Sequence, residues 1–219
     1  MLKRIGLLIS DIDGGSEYDF WKMAPKGLAI HTARISKIAN LKDELYKEAS
    51  KLESLVDIFV YQEDYEVHNI SSDIRQVLEQ FEKPYVLAEE SALELFKELG
   101  ISKIWLFTPY TVERALEEVE YLTVNGISVT GYTYLNINDK IGLKNVDYKT
   151  ISIALLKSRV SKDSEAIYIY GSNLITYKAV KTLPRVFGIP VISTNLASLF
   201  MALRKIKYVK NGFDSLTLI

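Results

Sequence analysis

Four carboxylates, Asp11, Asp13, Glu63 and Asp64, follow two apolar runs, Ile5 to Ser10 and Asp57 to Tyr61, in the first half of a 219-residue chain. Residues just past such runs reach the end of an open parallel sheet where ligands bind. Acids gathered there have two kinds of chemistry. A carboxyl whose pKa is raised by burial can move protons near neutrality, whereas ionised carboxylates can hold a hard cation such as Mg2+ or Ca2+. Asp11-Ile12-Asp13 is a short spacing that loops show by chance, so the cation carries little weight and no resident metal is expected. For Glu63 a solvated loop charge or an ion pair with a lysine is the plain alternative.

The elements that must position these groups come in matching pairs. Ile5 to Ser10 (IGLLIS) answers to Ile104 to Pro109 (IWLFTP), Val56 to Asp64 answers to Ser164 to Ser172, and Pro84 to Glu89 answers to Pro190 to Asn195. Each apolar run leads through a polar elbow into a helical pattern, so the chain reads as two βαβαβ lobes. The fold class is α/β, with two pseudo-symmetric flavodoxin-like lobes, parallel sheets and a cleft between them. Residues 1–100 form the first lobe, completed by about 194–219, and residues 101–193 form the second. Strands are expected near 4–10, 57–61, 84–88, 103–107, 127–134, 166–170 and 189–193, from short uncharged runs of Ile, Val, Phe, Tyr and Leu. Helical spacing marks Leu41 to Leu55, Ser91 to Leu99, a segment begun by Thr111 as a capping hydroxyl, and Tyr148 to Ser158. Asp11 to Lys26, Gly-rich and aromatic, reads as a long functional loop. The internal pairing places Glu63 and Gly171 at equivalent positions facing each other over the cleft.

Composition narrows the partners. Lys+Arg 27 against Asp+Glu 28 leaves a net charge of -1, so no global field recruits nucleic acid or an anionic membrane. No run is long enough for a membrane span, and Lys3-Arg4 leads into a strand, so a cytoplasmic protein is expected. With Cys 0 there is neither a disulfide nor a thiol nucleophile. Few Gln and many Ile, Lys and Glu suit a thermophile. There is no Ser-His-Asp arrangement, phosphate-binding glycine loop or zinc spacing.

Pro25-x-Gly27-x-x-x-His31-x-x-Arg34, Thr108-Pro109-Tyr110-x-x-Glu113, Gly171-Ser172-Asn173-Leu174 and Ser193-Thr194-Asn195-x-Ala197 resemble the aspartate/glutamate racemase superfamily, in its arylmalonate decarboxylase and maleate isomerase branch. The likeness runs over nearly the whole chain in order. It implies a cofactor-independent enzyme in which two lobes hold a small carboxylic acid and a cysteine moves a proton beside a carboxylate. The two cysteine positions of the family fall on Glu63 and Gly171, so this chain keeps neither thiol. The resemblance further implies that Thr108 and Tyr110 bind a substrate carboxylate, with Ser172, Asn173, Ser193, Thr194 and Asn195 at the other elbows. Asp64 and Tyr65 stand where small hydroxyl residues usually complete the oxyanion cradle.

Two functions follow. In the first, Glu63 replaces a thiol as proton shuttle and Tyr110 assists, in an arylmalonate decarboxylase-like or maleate isomerase-like lyase or isomerase, with Asp11 also near the ligand. In the second, the cleft survives as a non-catalytic carboxylate-binding or regulatory site. Dense negative charge at the first-lobe elbows disfavours dianionic substrates in either case. His31 and Arg34 are expected to fix the loop against a helix or a neighbouring subunit, and His68 to lie on the surface. Tyr18, Phe20, Trp21, Tyr65 and Tyr132 either enclose an aryl group or pack, whereas Trp105 is core. Leu28-Ala29-Ile30 beside His31 suggests a homodimer or larger homo-oligomer.

Overall fold

A computed structural model describes residues 2–36, 40–63 and 70–208. In chain order the first half contains β1 (Lys3–Ser10), α1 (Ser16–Met23), β2 (Leu28–Ile35), α2 (Leu41–Leu52), β3 (Ile58–Tyr61), α3 (Ser71–Leu78), β4 (Tyr85–Leu87) and α4 (Ala88–Leu99). The second contains β5 (Lys103–Thr108), α5 (Val112–Val124), β6 (Ser128–Tyr134), α6 (Lys140–Lys144), α7 (Tyr148–Lys157), β7 (Ala166–Ile169), α8 (Tyr177–Thr182), α9 (Pro184–Phe187), β8 (Val191–Ser193) and α10 (Thr194–Lys205).

Both halves build the same object. Two four-stranded parallel sheets run in the orders β2-β1-β3-β4 and β6-β5-β7-β8, the second repeating the first strand for strand. Ile5 lies opposite Ile58 and Ile104 opposite Ala166, while Phe59 lies opposite Tyr85 and Ile167 opposite Val191. These registers are the ones the sequence repeat requires. β3 and β7 are buried at every position, as strands covered on both faces must be.

Two elements correct the sequence reading. β2 is absent from the expected strands because LAIHTARI is an edge strand whose burial is interrupted by His31, Thr32 and Arg34, so no uncharged run announces it. Of the triplet Leu28-Ala29-Ile30, Leu28 and Ile30 are turned into the core and Ala29 is partly exposed. The loop expected over Asp11 to Lys26 holds α1. Asp13 starts that helix from outside, its carboxylate accepting the backbone N–H groups of Gly15 at 3.0 Å and Ser16 at 2.9 Å and the Ser16 hydroxyl at 2.7 Å. Arg34 fastens the turn by donating to the carbonyl of Asp13 at 2.9 Å.

The halves are joined by helices exchanged across the middle. α10 leaves β8 and packs on α4, β3 and β4, and its residues 194–203 are all buried. It meets its counterpart α4 where the hydroxyls of Ser91 and Ser198 lie 3.0 Å apart. α1 of the first half touches α8 and α10 of the second, and one apolar cluster, with Phe20, Phe96, Tyr168 and Phe200 among its members, runs through both. Gly15 is needed at this seam, since a Cβ there would lie 2.4 Å from the carbonyl oxygen of Asn173. Among the described residues no helix is long and apolar enough to cross a membrane.

Candidate active site

The ends of β3 and β7 set the positions of the two residues that the internal repeat pairs. Gln62 donates its N–H to the carbonyl of Leu8 at 2.8 Å, and Tyr170 donates to that of Phe107 at the same distance. The next residues are Glu63 and Gly171, leaving matching strands at matching points.

Glu63 lines a cavity of about 230 Å³ together with Ile12, Tyr110, Thr111, Arg114, Ile137, Asn138, Asp139, Leu143 and Asn173. Both lobes therefore contribute to one hollow at the carboxyl ends of their sheets. A neighbouring space of about 510 Å³ shares Ile12, Leu143 and Asn173 and continues along Gly14, Lys144, Val146 and Ile175. One wall is set by backbone pairing, in which Leu135, Asn136 and Ile137 donate to the carbonyls of Thr108, Tyr110 and Pro109 at 3.0 to 3.2 Å. Tyr110 is buried and meets the Tyr170 ring edge-on, with centroids 5.8 Å apart. Beneath Glu63, burial and then the Glu63 charge hold the Tyr61 phenol above its ordinary value of 10.

Behind the cavity lies a polar bridge between the lobes that sequence reasoning missed. Asp19 is fully buried and accepts from the N–H of Thr176 at 2.7 Å, the N–H of Tyr177 at 3.0 Å, Asn195 Nδ2 at 3.0 Å and the Thr176 hydroxyl. Asn195 also donates to the carbonyl of Leu174 at 3.0 Å and accepts from Gln62 Nε2 at 2.9 Å. Ser16 donates to the carbonyl of Ser172 at 2.9 Å. A signal for Asp19 existed: the offset that carries Ile5 onto Ile104 and Gly27 onto Gly126 carries Asp19 onto Glu118, which is also buried.

Burial is the largest influence on Asp19 and raises its carboxyl above the ordinary 3.8, against the pull of its donors; Asp13 is raised for the same reason. A native state that holds a proton more tightly than the unfolded chain gains stability from that group as pH falls through the folded-state pKa, and the gain is complete below about 3.8. Carbon-13 NMR titration of Asp19 is thus expected to give a midpoint above 3.8. A lower value would mean that the four donors outweigh desolvation.

The proposed ligand groups divide by location. Glu63, Tyr110 and Asn173 line the cavity. Thr108, Ser172, Ser193, Thr194 and Asn195 are fully enclosed, and their groups serve the wall. Ser193 Oγ caps α10 by accepting from Leu196 N–H and lies 2.7 Å from the Thr176 hydroxyl oxygen, Thr194 Oγ1 lies 3.1 Å from the Tyr168 hydroxyl, and Thr108 Oγ1 accepts from Tyr110 N–H at 3.4 Å. Asp11 is exposed, and Asp13 accepts the hydrogen bonds that start α1. Among the described residues no group of three or more His, Asp or Glu is arranged to hold a metal ion. Asp64, Tyr65 and His68 lie outside the described residues. Of the described aromatics that could enclose an aryl group, Phe20 is core, and Tyr18, Trp21 and Tyr132 are exposed and do not line the cavity. Thr111 holds the N-cap position of α5 but makes no side-chain cap bond; its side chain bonds Glu113, which keeps that carboxyl below its ordinary value.

Gly171 could not simply be exchanged for the missing thiol residue. Its φ of +141° lies where L residues rarely sit, and an added Cβ would come within 3.2 Å of Pro109 Cδ and 3.3 Å of Leu174 Cγ. Gly171→Cys is expected to cost about 1–3 kcal/mol, read as a lowered midpoint in urea unfolding. An unchanged midpoint would show that the backbone relaxes there at no cost.

A parallel two-lobed architecture of this kind is found among solved structures. The fold is shared with a cysteine-to-alanine variant of the maleate isomerase of Pseudomonas putida S16 with maleate (TM-score 0.78, 20% identity, 94% of this chain and 93% of that chain covered). It is shared equally with the Nocardia farcinica maleate cis-trans isomerase bound to TRIS (TM-score 0.80, 17% identity, 94% and 93% covered) and with an arylmalonate decarboxylase (TM-score 0.77, 17% identity, 97% and 96% covered). In sequence, a maleate isomerase of Geobacillus stearothermophilus is 24% identical over 133 residues, a match that spans 59% of this chain and about half (53%) of that isomerase. Residues 65–214 match the family model for arylmalonate decarboxylase, and the chain belongs to that family.

Proposed function

We propose that the chain is a cofactor-independent enzyme acting at the alpha carbon of a small carboxylic acid, with Glu63 as proton shuttle in place of a thiol. The observation that carries this reading is that Glu63 and Tyr110, one from each lobe, line the same cavity at the sheet ends. A carboxylate held over a buried tyrosine and among apolar residues can take or return the alpha proton. The enediolate formed in that step needs donors. Tyr110 and the amino-terminal N–H groups of α5, which opens at Thr111 on the cavity wall, are suited to supply them.

The absence of cysteine shapes the route. A cysteine-to-serine variant of the Nocardia farcinica isomerase is known with a covalent succinylcysteine intermediate, and a chain with Cys 0 forms no such adduct. Proton transfer without a covalent enzyme intermediate is the chemistry left to these residues. Charge also selects substrate: an ionised Glu63 about 5 Å from a second carboxylate costs ~3 kcal/mol at an effective dielectric of ~20. A dicarboxylate therefore enters with Glu63 protonated, or the substrate is a monoacid.

Small mono- and dicarboxylic acids followed by NMR in D2O test the proposal, with CO2 loss or deuterium uptake at the alpha carbon as the positive result. The second reading, a carboxylate-binding protein without turnover, is favoured by the bare Gly171 at the other thiol position. It is the outcome if acids raise the melting temperature but none exchanges or loses CO2.

A further inference from the structure

The Ser16 hydroxyl faces more acceptors than it has hydrogens. Its oxygen lies 2.7 Å from Asp13 Oδ2, 2.9 Å from the carbonyl oxygen of Ser172 and 3.5 Å from Asn195 Oδ1. A hydroxyl gives one hydrogen, and a backbone carbonyl gives none. Asn195 can supply none here, because its Nδ2 is committed to Asp19 and to the carbonyl of Leu174. With Asp13 ionised, the two short contacts have a single hydrogen between them, and one pair of oxygens meets lone pair to lone pair away from water. One further proton removes the conflict: Asp13 donates to Ser16 Oγ, and Ser16 donates to Ser172.

These contacts are forced by the backbone. Ser16 and Ser172 are fully enclosed, Asp13 is 5% exposed, and at Gly15 the two halves are pressed so close that a Cβ would lie 2.4 Å from the carbonyl oxygen of Asn173. Burial, the largest influence on Asp13, favours the neutral acid; the Ser16 hydroxyl, the N–H groups of Ser16 and Gly15 and the charge of Arg34 favour the anion. The hydroxyl leaves that second group once it donates to Ser172. The two N–H groups reach Oδ1, which accepts in either form. Arg34 is 42% exposed and paired with Glu17 at 3.1 Å, so its pull is screened. Asp19 is taken up by Thr176, Tyr177 and Asn195, and Ser172, Asn173 and Asn195 face Asp13 from the second half without charge. We propose that Asp13 is a neutral acid in the folded protein and, through Ser16, positions the two walls of the cavity. Ile12, the residue before it, and Asn173, the residue after Ser172, line both the cavity and the space beside it. The relay from Asp13 through Ser16 to Ser172 ties one to the other. Loss of the proton as pH rises leaves one of its contacts without a hydrogen and loosens the tie, whether the cavity turns over its acid or only binds it.

Carbon-13 NMR titration of the full chain, as wild type and Asp13→Asn, tests the proposal. The Asn amide keeps an oxygen for the N–H groups of Gly15 and Ser16, donates to Ser16 Oγ as the neutral acid would, and does not titrate. The Asp13 carboxyl is expected to titrate above pH ~7, the Ile12 methyl and Asn173 amide signals to share its midpoint, and that step to vanish in Asp13→Asn. An acid held more tightly by the folded state gives stability that is complete below about pH 3.8 and is lost as pH rises to the folded-state midpoint. Urea unfolding should therefore find the two proteins equally stable near pH ~4. Above it wild type should fall behind the variant by up to about tenfold in folding equilibrium constant per pH unit, as far as the midpoint. An Asp13 carboxyl that titrates below pH ~7, Ile12 and Asn173 signals that ignore it, or an Asp13→Asn protein less stable than wild type at pH ~7 overturns the proposal.

Discussion

Asp19→Ala is expected to destabilise the protein by about 3–5 kcal/mol, measured as the drop in unfolding free energy from urea titration. The carboxylate is fully buried, and its removal strands donors from two segments of the second half of the chain: the N–H groups of Thr176 and Tyr177, the Thr176 hydroxyl and Asn195 Nδ2. A buried donor left without a partner costs about 1–3 kcal/mol. Four such terms do not simply add, because water enters the space left by the side chain and because burial of the charge already costs something, as the raised Asp19 pKa records. Asp19→Asn is the sharper variant. Its amide supplies one acceptor and turns two donors toward groups that are themselves donors, so it is expected to recover less than half of the loss. A fall below about 1 kcal/mol for Asp19→Ala would mean that the bridge does not hold the lobes together. Since Asn195 and the carbonyl of Leu174 belong to the same bridge, the loss should also loosen the strand ends that carry Glu63 and Asn173.

Which parts of this arrangement could be read from residue order follows from how each element is buried. β1, β3, β5 and β7 are covered on both faces, and an uncharged run is the unavoidable mark of that environment. Because the two halves repeat, the same runs also fixed the equivalence of Glu63 and Gly171, a register relation that backbone hydrogen bonding repeats. β2 was hidden because an edge strand alternates, and His31, Thr32 and Arg34 make it resemble a loop. α1 was hidden because its start is capped from outside by Asp13, so the Gly-rich stretch from Asp11 read as a loop. The hydroxyl and amide elbows were visible as strand-to-helix junctions, but residue order does not say whether Ser193, Thr194 and Asn195 face a ligand or the opposite lobe. They are enclosed at the seam, where Ser193 pairs with Thr176, Thr194 with Tyr168 and Asn195 with Asp19. Arg114 passed unnoticed because a charged residue in a first turn looks like an ordinary solvated position, although it lines the cavity with Asn138 and Asp139.

Glu63→Gln is expected to lower turnover of an exchanged acid by about 10²- to 10⁴-fold, the usual worth of a positioned general acid or base. Gln keeps the length and the hydrogen-bonding ends of Glu but cannot carry the alpha proton. Since Glu63 is half-buried, outside the strand and outside the Asp19 bridge, folding should survive the change, and an unaltered melting temperature is the control. KM offers a second discriminator. If Glu63 repels the bound anion while ionised, its neutral replacement should bind the acid as tightly as wild type or more tightly, so the loss appears in kcat. Glu63→Asp withdraws the carboxylate by one methylene, and a displacement of about 1 Å is enough to cost ~10²-fold where proton transfer is the difficult step. A loss in Gln that Asp does not share would point to charge alone, and a loss confined to KM would make Glu63 a binding residue. Deuterium uptake that is indifferent to both variants would remove Glu63 from the mechanism and return the proton to solvent or to Tyr110.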